Sequence, residues 1–575
     1  MIVLGLNLKH GDASACIIKD GKLLSAVEEE RFTKVKFCSH FPINSILFCL
    51  NQNNISINEV DYIAHNANSF YNFFPKLIFF LKNIKKNLSL KKVFEFNLKK
   101  NYIKENLLLY FNLNFKKKIV SVPHHLAHIF SSMFFLEHNK NTLIFSFDGS
   151  GDFSTSESYL IVEKKIKLVE KNYFPHSLGF LYTTFCQFLG FSKYGDEYKL
   201  MGLAGYGKPI YENKIKKLLK NLTPLELEFK YFNIPTLNYE RHYPVINKLY
   251  NQEFINLFGN PRHENKEDSI NQEHKDLAAS IQKVFEDLVL NYLTMLKKKY
   301  GCNKLYLTGG CALNGLLVGK IIEAGLFESV FVGPNPGDAG GAIGSAFFFL
   351  HSKNEKIHPI QNTTFLGPSC NNEDIKEKII NKLQEQNKYK IKFYENFDDL
   401  AAQAALIIKK KKIIFWFQDN MEWGPRALGN RSILADPSHK NIKNILNKKI
   451  KKRESFRPFA PAVMAEFAND YFYMRGMQSP FMNIIFKAKE NTKNLYPGIV
   501  HVDGTSRVQT VSEKENKKFY KLIDEFYKIS NCPILINTSL NINGPIAQSS
   551  SDAFYFFCEA DTECIVLNNW LIEKK

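Results

Sequence analysis

At 575 residues the chain is too long for one hydrophobic core and is expected to form roughly three or four domain-sized pieces. Its 45% hydrophobic and 23% charged residues are those of a globular protein, and no run reaches the ~18 to 20 apolar residues that span a bilayer. Lys and Arg exceed Asp and Glu by 76 to 57, a net +19 that invites nucleic acid or another anionic partner.

The excess is largely Lys in runs such as Lys409 to Lys412, set among abundant Asn, Ile and Phe. That pattern reads more simply as compositional bias, and no recognisable RNA-binding motif accompanies it, so no nucleic acid is expected as a partner. Phosphorylated substrates would also profit from such charge. The 10 Cys include no C-x-x-C pair and read as free thiols. The chain opens directly on the apolar strand Ile2 to Leu6 without a basic leader, and a cytoplasmic protein is expected.

Residues 1 to 33 read as strand Ile2 to Leu8, a polar turn with His10, Gly11 and Asp12, and a hairpin of Ala15 to Ile18 with Leu23 to Glu28 around Asp20-Gly21. Residues 143 to 170 repeat this grammar: strand Leu143 to Phe147, the turn Asp148-Gly149-Ser150-Gly151-Asp152, then strands Ser158 to Val162 and Lys167 to Lys171. In both copies small residues after a buried strand let backbone N–H groups approach a phosphate, which makes Gly149 and Gly151 candidates for nucleotide contact. Two such pieces imply a duplicated α/β domain of the actin and sugar-kinase type over residues 1 to 350, with a nucleotide between its halves.

Between the copies, residues 68 to 118 are rich in Phe, Lys and Asn and most apolar from Phe73 to Lys82. A helical insertion packed on the domain is expected there. The alternative is a basic, aromatic surface that meets a lipid-linked or anionic substrate.

Pro123-His124-His125-Leu126-Ala127-His128 follows. On a helix His124 and His128 stand one turn apart on one face, so two imidazoles can converge on one metal ion. The zinc-peptidase pattern H-E-x-x-H loses its general base here, because the place of the Glu holds His125. A carboxylate from Asp148 would suit a divalent transition metal beside them. The rival reading is a set of ordinary core or surface histidines.

Gly195 to Gly207 reads as a helix with Gly punctuation, in which Glu197 and Lys199 either reach ligand or only cap and pair. Residues 210 to 270 lack a clear period. Lys275 to Tyr300 is an amphipathic helix stopped by Gly301, and it feeds strand Leu305 to Leu307. The following Thr308-Gly309-Gly310-Cys311-Ala312-Leu313-Asn314 is either a nucleotide cradle or a tight strand-to-helix turn. Strand Val330 to Val332 leads to Gly333-Pro334-Asn335-Pro336-Gly337-Asp338, where a Gly-rich turn enters a small-residue helix. Asp338 is the fourth ligand candidate, and His124, His128, Asp148 and Asp338 make a mixed N/O site suited to iron(II), manganese or zinc. Lys199, Gly309, Gly310, Asn314, Asn335 and Gly337 join Gly149 and Gly151 as nucleotide candidates.

Residues 351 to 370, polar and carrying Pro359, Gly367 and Pro368, read as a linker. A second α/β domain is expected over 371 to 575, with helices Asp374 to Gln386 and Phe397 to Lys409 and strand Ile413 to Phe417. Arginines now cluster in or beside loops: Arg426, Arg431, Arg453, Arg457 and Arg507, in a chain that otherwise prefers Lys. Guanidinium forks bind phosphate and carboxylate bidentately, which Lys does not. Strand Pro533 to Ile536 ends in Asn537-Thr538-Ser539-Leu540-Asn541, a polar turn able to hold a small amide or phosphate.

Taken in order, these motifs resemble the O-carbamoyltransferases that decorate nodulation factors, cephem precursors and aminoglycoside or ansamycin antibiotics. The resemblance rests on His10-Gly11-Asp12, Glu28 to Phe32, the His-His-x-x-His run, Asp148-Gly149, Lys199 to Ala204, Gly309 to Asn314, Gly337-Asp338, Trp423 to Ser432, Arg453 to Pro461 and Asn537 to Asn541. It implies a C-terminal domain similar to the threonylcarbamoyl-AMP synthase fold that converts carbamoyl phosphate and ATP into carbamoyl-adenylate. It implies an N-terminal domain, similar to the tRNA threonylcarbamoyl transferase subunit, that passes the carbamoyl group to a hydroxyl of a sugar or secondary metabolite. An iron-type metal at the nucleotide, and Mg2+ as a further ion, belong to the same implication. So does the assignment of Lys451 and Ser539, with Arg426, Arg457 and Arg507, to carbamoyl phosphate. Lys451-x-Arg453 and Ser539-x-Asn541 look like the synthase fold's K-x-R and S-x-N pairs. His10, with Asp12 close by, is the expected general base, its other role being a phosphate-contacting donor. Two other classes stay open on sequence: an actin-like sugar kinase, which leaves the Arg-rich domain idle, and a tRNA-modifying or nucleic-acid-binding protein.

Overall fold

The first hairpin turns on Asp20 and Gly21, which take φ of 49° and 75°, the left-handed pair that a two-residue β-turn requires. They join strand β2 (Ser14–Lys19) to β3 (Lys22–Glu28), and β2 pairs back onto β1 (Ile2–Asn7), all three antiparallel. The computed structural model describes residues 1–83, 98–133, 141–162, 165–240, 243–263, 270–359, 364–384 and 387–575. Its α/β chain divides into two compact units, Met1–Gln361 and Asn362–Lys575.

In the first unit, β4 (Tyr62–His65) pairs parallel with β1, and β5 (Ile119–Ser121) parallel with β4, giving the order β3-β2-β1-β4-β5. Strands β6 (Thr142–Gly151), β7 (Ser154–Val162), β8 (Lys165–Tyr173), β9 (Lys304–Thr308) and β10 (Ser329–Val332) form a second sheet in the order β8-β7-β6-β9-β10. Each sheet is an antiparallel meander of three strands extended by two parallel ones. This is the duplicated actin and sugar-kinase arrangement. Every residue of β1 is buried, as expected of a strand covered on both faces.

The insertion contains helices α1 (Phe73–Asn83) and α2 (Leu98–Phe111); residues 84–97 lie outside the described ones. α2 sinks Ile103 and Leu107 into the core of the first sheet. Helix α3 (His124–Met133) carries the histidine run, α4 (Glu197–Ala204) the Lys199 motif, and α5 (Gln272–Tyr300) is the long amphipathic helix. α5 ends on Gly301 at φ 66°, where a left-handed residue closes the last turn. Helix α6 (Gly315–Glu323) follows the paired glycines, and α7 (Gly341–Ser352) follows Asp338. α7 packs on α3 so tightly that a Cβ at Gly344 would lie 1.7 Å from the Ala127 carbonyl oxygen, which accounts for its small residues.

The second unit holds a mixed eight-stranded sheet. Its strands are β11 (Tyr389–Phe393), β12 (Ile414–Phe417), β13 (Arg431–Ala435), β14 (Ala460–Met464), β15 (Gln509–Val511), β16 (Ile534–Ser539), β17 (Cys564–Leu567) and β18 (Trp570–Lys574), in the order β11-β18-β17-β12-β13-β16-β14-β15. Helices α8 (Phe397–Lys409) and α9 (Lys517–Ser530) pack together.

Three local expectations change. The stretch 148 to 152 is not a turn between strands: β6 runs on through Gly151, and the reversal is made by Asp152 and Phe153 at φ 50° and 72°. The helix expected from Asp374 is broken by a π turn over Lys376–Ile380. The described residues between 210 and 270 include two short antiparallel strand pairs and the helices Glu212–Lys216 and Gln252–Phe258, elements too short to show a period. Among the described residues no helix is long and apolar enough to cross a membrane.

Candidate metal centre and arginine cluster

α3 places His124 and His128 one turn apart, both about 1% exposed, with their Nε2 atoms 3.0 Å from each other. β6 delivers Asp148 from below: its Oδ2 lies 3.0 Å from His128 Nε2 and 3.9 Å from His124 Nε2. The turn before α7 delivers Asp338, whose Oδ1 faces both imidazoles at 3.6 Å. These four ligand atoms all lie within 4.8 Å of one another. Two imidazole nitrogens and two carboxylate oxygens form a donor set for a divalent transition metal. Asp338 Oδ1 is buried and makes no hydrogen bond among the described residues, which leaves it available to an ion.

The surrounding backbone fixes these groups. Asp148 Oδ1 accepts the N–H of Gly149 at 2.6 Å and its Oδ2 that of Gly310 at 3.0 Å. Gly309 supports this approach at φ 89°, with a Cβ position 2.2 Å from the Phe147 carbonyl oxygen. Gly151 makes room for a ligand: a Cβ there would stand 2.1 Å from the His124 ring. Tyr194 donates its hydroxyl to Asp338 Oδ2 at 3.3 Å. His125 turns away and bonds through Nδ1 to Ser146 Oγ at 2.8 Å.

The charges are strongly coupled. Burial opposes protonation of His128, but its contacts with Asp148 and Asp338 outweigh burial and raise its pKa to about 9. Burial likewise opposes the charge on Asp148, yet His124 and His128 hold it well below the usual carboxylate range. His10 lies beside the centre, its ring 5.0 Å from that of His124, with Nε2 unbonded among the described residues. Burial, followed by the charge of Lys99, pushes the His10 pKa well below the ordinary histidine range, which favours the neutral imidazole and leaves Nε2 able to accept a hydrogen bond. Asp12 is raised by burial and then by Glu30 and Glu28; it belongs to the buried group in which Arg31 binds Glu30 at 2.7 Å and Asn335 donates to Glu28 at 3.0 Å.

Several nucleotide candidates have structural employment here. Lys199 pairs with Asp196 at 3.0 Å, the capping alternative, and Glu197 accepts from Thr183 at 2.7 Å. Asn314 caps α6 through Leu317 N–H at 3.0 Å and exchanges hydrogen bonds with Gln282 of α5.

In the second unit Lys451, only 3% exposed, reaches the Ser539–Asn541 turn, with Nζ 2.6 Å from Asn541 Oδ1 and 3.3 Å from Ser539 Oγ. Arg507 is pushed well below the ordinary arginine range by burial and then by the charges of Arg426, Arg453 and Arg457. Four guanidinium groups thus share one locality. Arg453 is braced by Asn447 Oδ1 at 2.8 Å, and Arg457 lies 3.6 Å from Glu454. Arg431 departs from the cluster: it stacks on Phe417 and donates to the carbonyls of Pro368, Asp419 and Asn430 at 2.8 to 3.0 Å, so it holds loops together.

Sequence profiles for the carbamoyltransferase N-terminus and C-terminus match residues 2–347 and 405–574. The chain belongs to the carbamoyltransferase family. This carbamoyltransferase is 34% identical to the Synechocystis sp. protein sll1178, over 100% of the chain and 96% of that relative. It is 32% identical to nodulation protein NolNO of Sinorhizobium fredii, over 98% of the chain and 79% of the relative. Among solved structures, component A of the (R)-2-hydroxyglutaryl-CoA dehydratase of Acidaminococcus fermentans is 13% identical with a TM-score of 0.34, covering 60% of this chain and 97% of that one. The family makes the protein a transferase, and the sugar-kinase alternative gives way.

Proposed function

We propose that this carbamoyltransferase activates carbamoyl phosphate with ATP in its second unit and transfers the carbamoyl group to an acceptor hydroxyl in its first. Carbamoyl phosphate meets the arginine cluster, its anionic oxygens bound by Arg426, Arg453, Arg457 and Arg507, whose mutual repulsion an anion relieves. Lys451, Ser539 and Asn541 hold the carbamoyl end. Water cleaves the donor to phosphate and carbamate; the carbamate oxygen then attacks the α-phosphorus of ATP, forming carbamoyl-adenylate and releasing pyrophosphate. Confinement away from bulk water protects the short-lived carbamate.

In the first unit the acceptor oxygen attacks the carbamoyl carbon, its proton passes to His10 Nε2, and AMP leaves. A divalent metal held by His124, His128, Asp148 and Asp338 would withdraw charge from the AMP phosphate. The side-chain-free backbone at Gly149, Gly309, Gly310 and Gly337 would let the nucleotide approach closely. The acceptor is a hydroxyl of a sugar or secondary metabolite.

The observation that carries this reading is the meeting of His124, His128, Asp148 and Asp338 within 4.8 Å in a member of the carbamoyltransferase family. Pyrophosphate release from ATP tests it: release should require carbamoyl phosphate, whereas sugar-dependent ADP formation would mark a kinase.

A further inference from the structure

Helix α1 has two unlike faces. Advancing roughly 100° per residue, Lys76 and Phe79 point to one side and Phe74, Ile78 and Leu81 to the other. The inner side is seated: Phe79 meets Phe153 and Phe174 at 5.4 and 5.6 Å, and Lys76 donates to the Ser69 carbonyl at 2.8 Å. The outer side faces solvent, with Phe74 74%, Ile78 52% and Leu81 57% exposed. Three large apolar side chains in one helical stripe give folding nothing where they stand, and such a patch marks a contact surface.

The surroundings say what it contacts. Described residues 68–83 and 98–118 carry eight lysines and one glutamate, a net +7 out of +19 for the chain. Lys82, at the end of α1, and Lys104 and Lys116 to Lys118 are exposed. Leu108 and Leu109 of α2 add 55% and 73% exposed apolar side chains to the same insertion. An apolar stripe on a helix that closes with an exposed lysine, within a segment of net positive charge, is the make-up of an interfacial helix, whose apolar side enters the acyl boundary while ammonium groups meet anionic headgroups. A second copy of the chain would bring two such positive segments together and be repelled.

We infer that the Phe74, Ile78 and Leu81 face of α1 docks this protein peripherally on an anionic lipid bilayer. Docking is peripheral because no described helix is long and apolar enough to cross the membrane. Docked in this way, the first unit would meet acceptors presented at a membrane surface.

Vesicle flotation of the full-length protein tests this, with phosphatidylcholine vesicles compared with vesicles that also contain phosphatidylglycerol. Binding should be at least about tenfold tighter with phosphatidylglycerol, weaken as salt rises, and fall about tenfold in F74E/I78E/L81E. Thermal melting and analytical ultracentrifugation accompany that variant. Equal binding to both vesicle types would overturn the inference, as would full binding by a triple variant that keeps its melting temperature. A wild-type dimer that the triple variant turns into a monomer would assign the face to self-association and also overturn it. Should the triple variant fail to fold, F74W serves instead: its emission should shift to the blue on phosphatidylglycerol vesicles, and an unchanged spectrum would count against docking.

Discussion

The Asp152 carboxylate accepts the backbone N–H of His124 at 2.8 Å, so the tip of one hairpin caps the helix that carries both imidazoles. Pro123, just before that helix, has no side-chain acceptor of its own. Asp152 also takes the N–H of Asn68 at 2.9 Å and so ties the start of the insertion to the same point. Asp152→Ala should weaken metal binding by about 10- to 100-fold and cost roughly 1 kcal/mol of stability. Metal titration and thermal unfolding of the variant check both; unchanged affinity would remove Asp152 from the support of the centre.

Gly151→Ala should be more severe at the metal and harmless in the second unit. The new Cβ would press on a His124 ring that is 1% exposed and has nowhere to move. Bound metal, read by elemental analysis, should be lost while carbamoyl phosphate-dependent pyrophosphate release continues. A variant with a full metal complement would show that the ring can shift.

How much of this was readable in the chain differs by residue. His124 and His128 announce themselves through helical spacing, and Asp148 and Asp338 through acids set in Gly-rich stretches beside buried strand residues. The meander, the stop at Gly301 and helix Phe397–Lys409 were equally open, because local turn chemistry and period decide them. Direction was hidden. Nothing in the sequence tells that Gly151 makes room for a ring, that Tyr194 donates to Asp338, or that Arg431 spends its donors on carbonyls while Arg507 sits among three other arginines. Residue type proposes a chemistry; only packing says where the side chain points.

Acid should destabilise the first unit through His65. Burial, then Lys99 and Lys100, lower its pKa to about 3, and Ser121 Oγ lies 3.0 Å from its Nε2. The native state therefore keeps His65 neutral where the unfolded chain, with a pKa near 6.5, already binds a proton. The stability it contributes is present above about pH 6.5 and is lost as pH falls toward 3, at most by roughly 1.4 kcal/mol per pH unit. His65→Gln cannot take up that proton. Denaturant unfolding between pH 6 and 4 should show a shallower slope for the variant; equal slopes would place the acid sensitivity elsewhere.

The division of labour between the two units is tested most directly by pyrophosphate release, measured in the wild type, Lys451→Ala and His128→Ala. Lys451 is buried against Ser539 and Asn541, and His128 sits 3.0 Å from Asp148. The wild type should release pyrophosphate only when ATP and carbamoyl phosphate are both present, Lys451→Ala should lose that release by at least about 100-fold, and His128→Ala should keep it while losing bound metal. Release that needs no carbamoyl phosphate, or that survives in Lys451→Ala and vanishes in His128→Ala, would contradict the account.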